Sequence, residues 1–156
     1  FLDITTATKD AKSFEISMNY LYEQFKDENV DYVAGIESRG FIFGAPLACK
    51  LNAGFVPIRK PNKLPANTIK ESYSLEYGTD TIEMHADAVK EGDRVLVIDD
   101  LLATGGTAVA ACNLVKKVGG DVRATALIIE LDPLHGREKT EAKGFKVISM
   151  LNYDLD

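Results

Sequence analysis

The residues Val95-Leu96-Val97-Ile98-Asp99-Asp100-Leu101-Leu102-Ala103-Thr104-Gly105-Gly106-Thr107 decide the fold. Val95 to Ile98 read as a strand buried on both faces, because a strand with water on one side would alternate apolar with polar residues. Two carboxylates close that run, a glycine-threonine turn follows, and residues 109–118 supply a helix that stops at Gly119-Gly120. The loop has chemistry of its own. N–H groups at a helix N-terminus have no intrahelical partner and favour an anion, glycine lets the backbone come close, and the Thr104 and Thr107 hydroxyls add donors. A phosphomonoester suits such a turn, so Ala103, Thr104, Gly105, Gly106 and Thr107 are candidate phosphate ligands. Neither GxxxxGK[ST] nor a GxGxxG after a strand is present, which excludes the usual nucleotide cradles. Asp99 and Asp100 stand where their carboxylates suit the 2′ and 3′ hydroxyls of a ribose whose 5′ end the loop holds. The alternative is that the acids merely end a strand and Thr107 merely caps a helix; two acids directly after four apolar residues favour the ligand reading.

Outward from this core, strands and helices alternate. Ala11, Phe14, Met18, Leu21 and Phe25 recur at helical spacing and predict an amphipathic helix over residues 9–26. Residues 32–36 form a short apolar run that breaks at Glu37-Ser38-Arg39-Gly40, and residues 41–51 read as a buried helix. Residues 55–58 are a second strand. Residues 59–77, polar and containing Pro61, Pro65 and Asn67, read as a loop too long for a minimal connection, hence functional. An edge strand over 81–85, strands at 122–129 and 146–151, and a short helix at 137–143 complete the reading. The pattern predicts an α/β domain with a mainly parallel sheet flanked by helices, whose ligands sit at the C-terminal strand ends.

Composition narrows the function classes. The 156 residues are 46% hydrophobic and 27% charged, which suits one globular domain. A net charge of -6 leaves no basic footprint, so no nucleic-acid partner is expected, and no apolar run is long enough for a membrane span. Cys49 and Cys112 lack disulfide or zinc-site spacing and suit a reducing cytoplasm. His85 and His135 have no carboxylate or thiol at ligand spacing and read as ordinary surface or edge residues.

The run from Val95 to Thr107 resembles the binding signature for phosphoribosyl pyrophosphate (PRPP) in the type I phosphoribosyltransferases. Glu37-Ser38-Arg39-Gly40-Phe41 resembles that family's pyrophosphate loop. Arg59-Lys60-Pro61 with Lys63-Leu64-Pro65 resembles the start of its mobile loop, and Ser72-Tyr73-Ser74-Leu75-Glu76-Tyr77-Gly78 resembles the end of it. The Leu75-Glu76-Tyr77-Gly78 stretch is similar to the adenine-using members. The resemblance spans nearly the whole chain. It implies a type I phosphoribosyltransferase-like fold and one domain over residues 1–156, with the family's N-terminal segment absent and a small hood over the base thereby incomplete. It also implies a homodimer contacting through the Arg39 loop and the helix after it.

The activity so implied is Mg²⁺-dependent transfer of the phosphoribosyl group from PRPP to adenine, giving AMP and pyrophosphate with inversion at C1 of the ribose. PRPP carries several negative charges, so cations should converge on its pyrophosphate. By resemblance Ser38 and Arg39 bind it, with a strained or cis peptide near Glu37-Ser38, and Arg59, Lys60 and Lys63 cluster at the start of the mobile loop. Mg²⁺ is expected on PRPP oxygens and waters, with no direct protein ligand. Glu76 and Tyr77 are the catalytic candidates by resemblance: the matching glutamate in the family lies beside N7 of the base, and the Tyr77 ring is expected to cover the site. Phe1, Leu101 and Leu131 are the candidate adenine contacts. Leu2 stands where family members often carry an arginine that touches the adenine, so that contact does not carry over. The rival readings are a phosphoribosyltransferase for another purine base, a non-catalytic PRPP-sensing regulator, and a generic α/β interaction module. The first would lack the Leu75–Gly78 stretch, and the second would carry a DNA-binding domain and a basic face.

Overall fold

The computed structural model describes residues 4–75 and 77–154. Helices α1 (Thr5–Lys9) and α2 (Ala11–Phe25) lead to strand β1 (Tyr32–Ile36), helix α3 (Arg39–Lys50) and strand β2 (Gly54–Ile58). Two strands, β3 (Thr68–Ser74) and β4 (Thr79–His85), then form an antiparallel hairpin. Strand β5 (Arg94–Leu102), helix α4 (Gly106–Lys117), strand β6 (Asp121–Leu131), a 3-10 turn (Asp132–Leu134), helix α5 (Gly136–Ala142) and strand β7 (Val147–Tyr153) complete the chain.

β1, β2, β5, β6 and β7 make one parallel sheet in the order β2-β1-β5-β6-β7, as the alternation of elements predicts. β1 connects outward through α3 to β2, whereas β5 connects the opposite way through α4 to β6. The strand order therefore reverses between β1 and β5, and a crevice opens at their C-terminal ends. Both sheet faces are covered. Leu96 and Ile98 of β5 pack with Met18, Leu21 and Phe25 of α2 and with Phe43 and Leu47 of α3. Val95 and Val97 point the other way, into a cluster with Ala111, Leu114 and Val115 of α4 and Ile82 and Met84 of the hairpin. Each fully buried Leu or Ile contributes about 1.5–3 kcal/mol, so this central strand anchors both halves of the core. Gly40 lets α3 lie close on β5, since a Cβ there would stand 2.9 Å from the Ile98 carbonyl oxygen.

Three sequence expectations need correction. β5 does not end at Ile98: Asp99, Leu101 and Leu102 continue the ladder, opposite Leu127, Ile129 and Glu130 of β6, so both aspartates lie within the strand. α4 begins at Gly106 with Gly105 as its N-cap, ahead of Val109. Part of the long polar loop is strand β3, in which Ile69, Glu71 and Tyr73 turn inward while Lys70, Ser72 and Ser74 are exposed. Lys117 of α4 pins this strand, pairing with Glu71 at 2.6 Å and donating to the Lys70 carbonyl at 2.9 Å.

Candidate active site

The turn after β1, the end of β2, the hairpin, β5 and the start of α4 enclose a cleft of about 370 Å³. Its apolar floor is Ile36, Ile58 and Ile82, and its walls include Glu37, Ser38, Arg39, Lys60, Tyr73, Asp99, Asp100 and Thr107. A second hollow of about 80 Å³ adjoins it at Asp99 and Thr107, lined by Leu101, Leu102 and the whole turn from Ala103 to Ala108. The phosphate-loop and ribose candidates and, of the pyrophosphate candidates, Ser38, Arg39 and Lys60 thus meet around two adjoining spaces at the C-terminal strand ends, whereas Arg59 and Lys63 line neither.

The turn owes its shape to glycine. Gly105 adopts φ 93°, a left-handed conformation that costs a side-chain-bearing residue about 1–2 kcal/mol, and α4 starts at the next residue. The opening N–H groups of α4 therefore have no partner within the helix. The peptide between Glu37 and Ser38 is cis, as the resemblance implied.

Arg39, Arg59 and Lys60 are each paired with a carboxylate. Arg39 Nε donates to Asp100 Oδ2 at 2.6 Å, and Asp100 is buried. Arg59 Nε and the Lys60 backbone N–H both donate to Glu37 Oε1 at 3.0 Å. Lys60 Nζ donates to Asp80 Oδ2, and Tyr73 Oη donates to the same oxygen at 3.2 Å. Lys63 is exposed beside Glu37. Burial pushes the Glu37 carboxyl up, but the Lys60 N–H and the hydrogen bond and charge of Arg59 outweigh it and hold the group below its ordinary value. The Asp80 hydrogen bond raises Lys60, and the Lys60 hydrogen bond lowers Asp80. Asp99 goes the other way. Burial, then the hydrogen bond and charge of Asp100, push it well above the usual carboxylate range, against the opposing Asp100 N–H and Arg39 charge. Two adjacent acids, one paired with arginine and one favouring its proton, can accept and donate hydrogen bonds to a diol.

Leu131 ends β6 one residue beyond Glu130, the ladder partner of Leu102, and lies outside the lining of both hollows. Tyr77 is 87% exposed in the hairpin turn and lines neither. Phe1 and Glu76 lie outside the described residues, as does Leu2. Asp80, Tyr73 and Glu37 were missed as individual site residues. Tyr73 and Asp80 are register partners across the hairpin, a relation visible only once β3 is known to be a strand. Among the described residues, no group of three or more His, Cys, Asp or Glu side chains is placed to hold a metal.

The profile of the phosphoribosyl transferase domain matches residues 6–154. An adenine phosphoribosyltransferase of Koribacter versatilis is 54% identical over 154 residues, covering 99% of this chain and 84% of the relative. Among solved structures, the adenine phosphoribosyltransferase of Thermoanaerobacter pseudethanolicus superposes with a TM-score of 0.93 at 50% identity, over 98% of this chain and 88% of that one. The Saccharomyces cerevisiae enzyme, complexed with D-2,5-dideoxy-2,5-imino-altritol 1,6-bisphosphate and adenine, does so with a TM-score of 0.89 at 37% identity, over 97% and 86%.

Proposed function

This chain belongs to the phosphoribosyl transferase family, and from that premise we propose that it transfers the phosphoribosyl group of PRPP to adenine, releasing AMP and pyrophosphate. The observation that carries the reading is the convergence of paired aspartates with Arg39 and Lys60 on one cleft at the strand-order reversal, with a left-handed glycine turn lining the hollow that adjoins it. Relatives that cover nearly the whole chain carry that activity in their names.

In the reaction the C1–O bond to pyrophosphate breaks and a C1–N bond to the base forms, while the base loses a proton. We assign the N–H groups and hydroxyls of residues 103–107 to the 5′-phosphate, and Asp99 and Asp100 to the ribose hydroxyls. Ser38, Arg39, Arg59, Lys60 and Lys63 take the pyrophosphate. Arg39 exchanges Asp100 for substrate on binding, which frees that carboxylate for the diol. Charge on the departing group is met by preorganised cations, and the oxocarbenium-like ribose by the neighbouring carboxylates. Leu101, with Phe1 and Leu131, is assigned to the base, and Glu76 to proton handling at it. Tyr77 is carried to the site if the hairpin tip folds over the cleft, which would exclude water. Mg²⁺ would be carried as a hydrated ion on PRPP oxygens in the cleft that Asp99 and Asp100 line, and would neutralise pyrophosphate charge.

The same reading includes a homodimer, supported by Ile42 of α3, 41% exposed three residues after Arg39, and a cytoplasmic enzyme. No helix among the described residues is long and apolar enough to cross a membrane. The proposal is tested by incubating the protein with PRPP, Mg²⁺ and each of adenine, hypoxanthine, guanine and xanthine, and separating nucleotides by chromatography. AMP from adenine alone supports it. Another nucleotide overturns the base assignment, and none with any base overturns the activity.

A further inference from the structure

The phosphate turn is braced from behind by α5, a helix assigned no part in binding above. Gly136, the first residue of α5, lies so close that a Cβ there would stand 2.3 Å from the Ala103 carbonyl oxygen. A Cβ on Gly105 would in turn meet the Gly136 carbonyl oxygen at 2.9 Å and Thr140 Oγ1 at 3.0 Å. Thr140 is fully buried and donates to the Gly136 carbonyl at 2.8 Å. The turn is therefore moulded on the first turn of α5.

α5 has seven residues, too few to hold a helix by itself in water, so its place depends on what it docks against. The dock is Arg137. Its Nη2 and Nε donate to Glu130 Oε1 at 2.7 and 3.1 Å, and its Nη1 donates to the Val147 carbonyl at 2.8 Å. Glu130, 4% exposed, also accepts from Ser149 Oγ at 2.8 Å. Asn152 Nδ2 donates to Asp132 Oδ1 at 2.9 Å and fastens the intervening 3-10 turn to β7. One guanidinium thus joins β6, α5 and β7, directly behind the turn from Ala103 to Gly105.

We infer that Arg137 is a positioning residue for phosphoribosyl transfer: locked on Glu130 and Val147, it seats α5 against residues 103–105 and so aims the N–H groups of the turn at the 5′-phosphate. The inference rests on reading residues 103–107 as the phosphate site. Backbone donors bind an anion well only when they converge in advance, so a small shift of α5 weakens phosphate binding more than binding elsewhere in the cleft. Lysine cannot replace the arginine, because a point charge does not reproduce the planar fork.

The test measures dissociation constants of AMP and of adenosine, which lacks the 5′-phosphate, for the unmodified protein, Arg137→Ala and Arg137→Lys, with cooperative melting as the check of folding. The ratio of the adenosine constant to the AMP constant isolates the phosphate. It should fall about tenfold in Arg137→Ala and about fivefold in Arg137→Lys, with adenosine binding held within about twofold. A purely structural role would weaken both ligands together and leave the ratio alone. An unchanged ratio in Arg137→Lys, which keeps charge and bulk should the alanine variant not fold, overturns the inference. If the unmodified protein binds AMP no more tightly than adenosine, the phosphate assignment itself fails and the inference falls with it.

Discussion

Arg39 and Asp100 face each other across the mouth of the cleft, Nε to Oδ2 at 2.6 Å, and tie the turn after β1 to strand β5 where the strand order reverses. In the proposed cycle the same arginine serves two partners in turn. Arg39→Ala should lower kcat/KM for PRPP by about 10- to 100-fold, the loss of one charge-assisted hydrogen bond, while KM for adenine changes by less than about threefold. Initial rates with each substrate varied in turn give both numbers.

Asp99 makes the free protein sensitive to pH. Its raised pKa means that the folded chain holds a proton which the unfolded chain releases near pH 4. Between that pH and the raised value the native state binds more protons than the unfolded one, so this group's contribution falls as pH rises through that window and changes no further above it. Asp99→Asn removes the effect. Its melting temperature without ligand should exceed that of the unmodified protein at pH 7 to 8, and the two should converge towards pH 4. Thermal melts across that range check this, and a gap of equal size at every pH would mean that Asp99 ionises freely.

Glu76 separates chemistry from binding. Glu76→Ala should depress kcat by about 10²- to 10³-fold, the usual share of a general acid or base, with PRPP affinity unchanged. Turnover within a few-fold of the unmodified enzyme would remove Glu76 from the mechanism.

Arg137 also bears on stability. Its side chain pairs with Glu130, which is 4% exposed, so Arg137→Ala strands a buried carboxylate and should cost about 3 kcal/mol of unfolding free energy. Denaturant titration measures this directly, and a loss below about 1 kcal/mol would show that water reaches Glu130.

β5 and α2 were legible because each is a local pattern: Val95 to Ile98 are apolar without interruption, and Phe14, Met18, Leu21 and Phe25 keep helical spacing. β3 was not legible, because its inward face reads Ile69, Glu71, Tyr73, and the glutamate there is balanced by Lys117 of a helix far along the chain. The true end of β5 depended on β6 as well: Asp99 to Leu102 stay in the sheet because a longer neighbour pairs with them. The glycine turn and the acids before it could be placed together from sequence, since they are contiguous, and between them they line the cleft and the hollow beside it. Asp80 and Arg137 could not, since each acts through a partner that only the fold brings near.

The most direct test of the central claim follows both products at once in a reaction of PRPP with adenine, with and without Mg²⁺. AMP and pyrophosphate should form in equal amounts, dependent on the metal. Pyrophosphate released without AMP would show hydrolysis in place of transfer, and neither product would contradict the claim that this cleft is a phosphoribosyltransferase site.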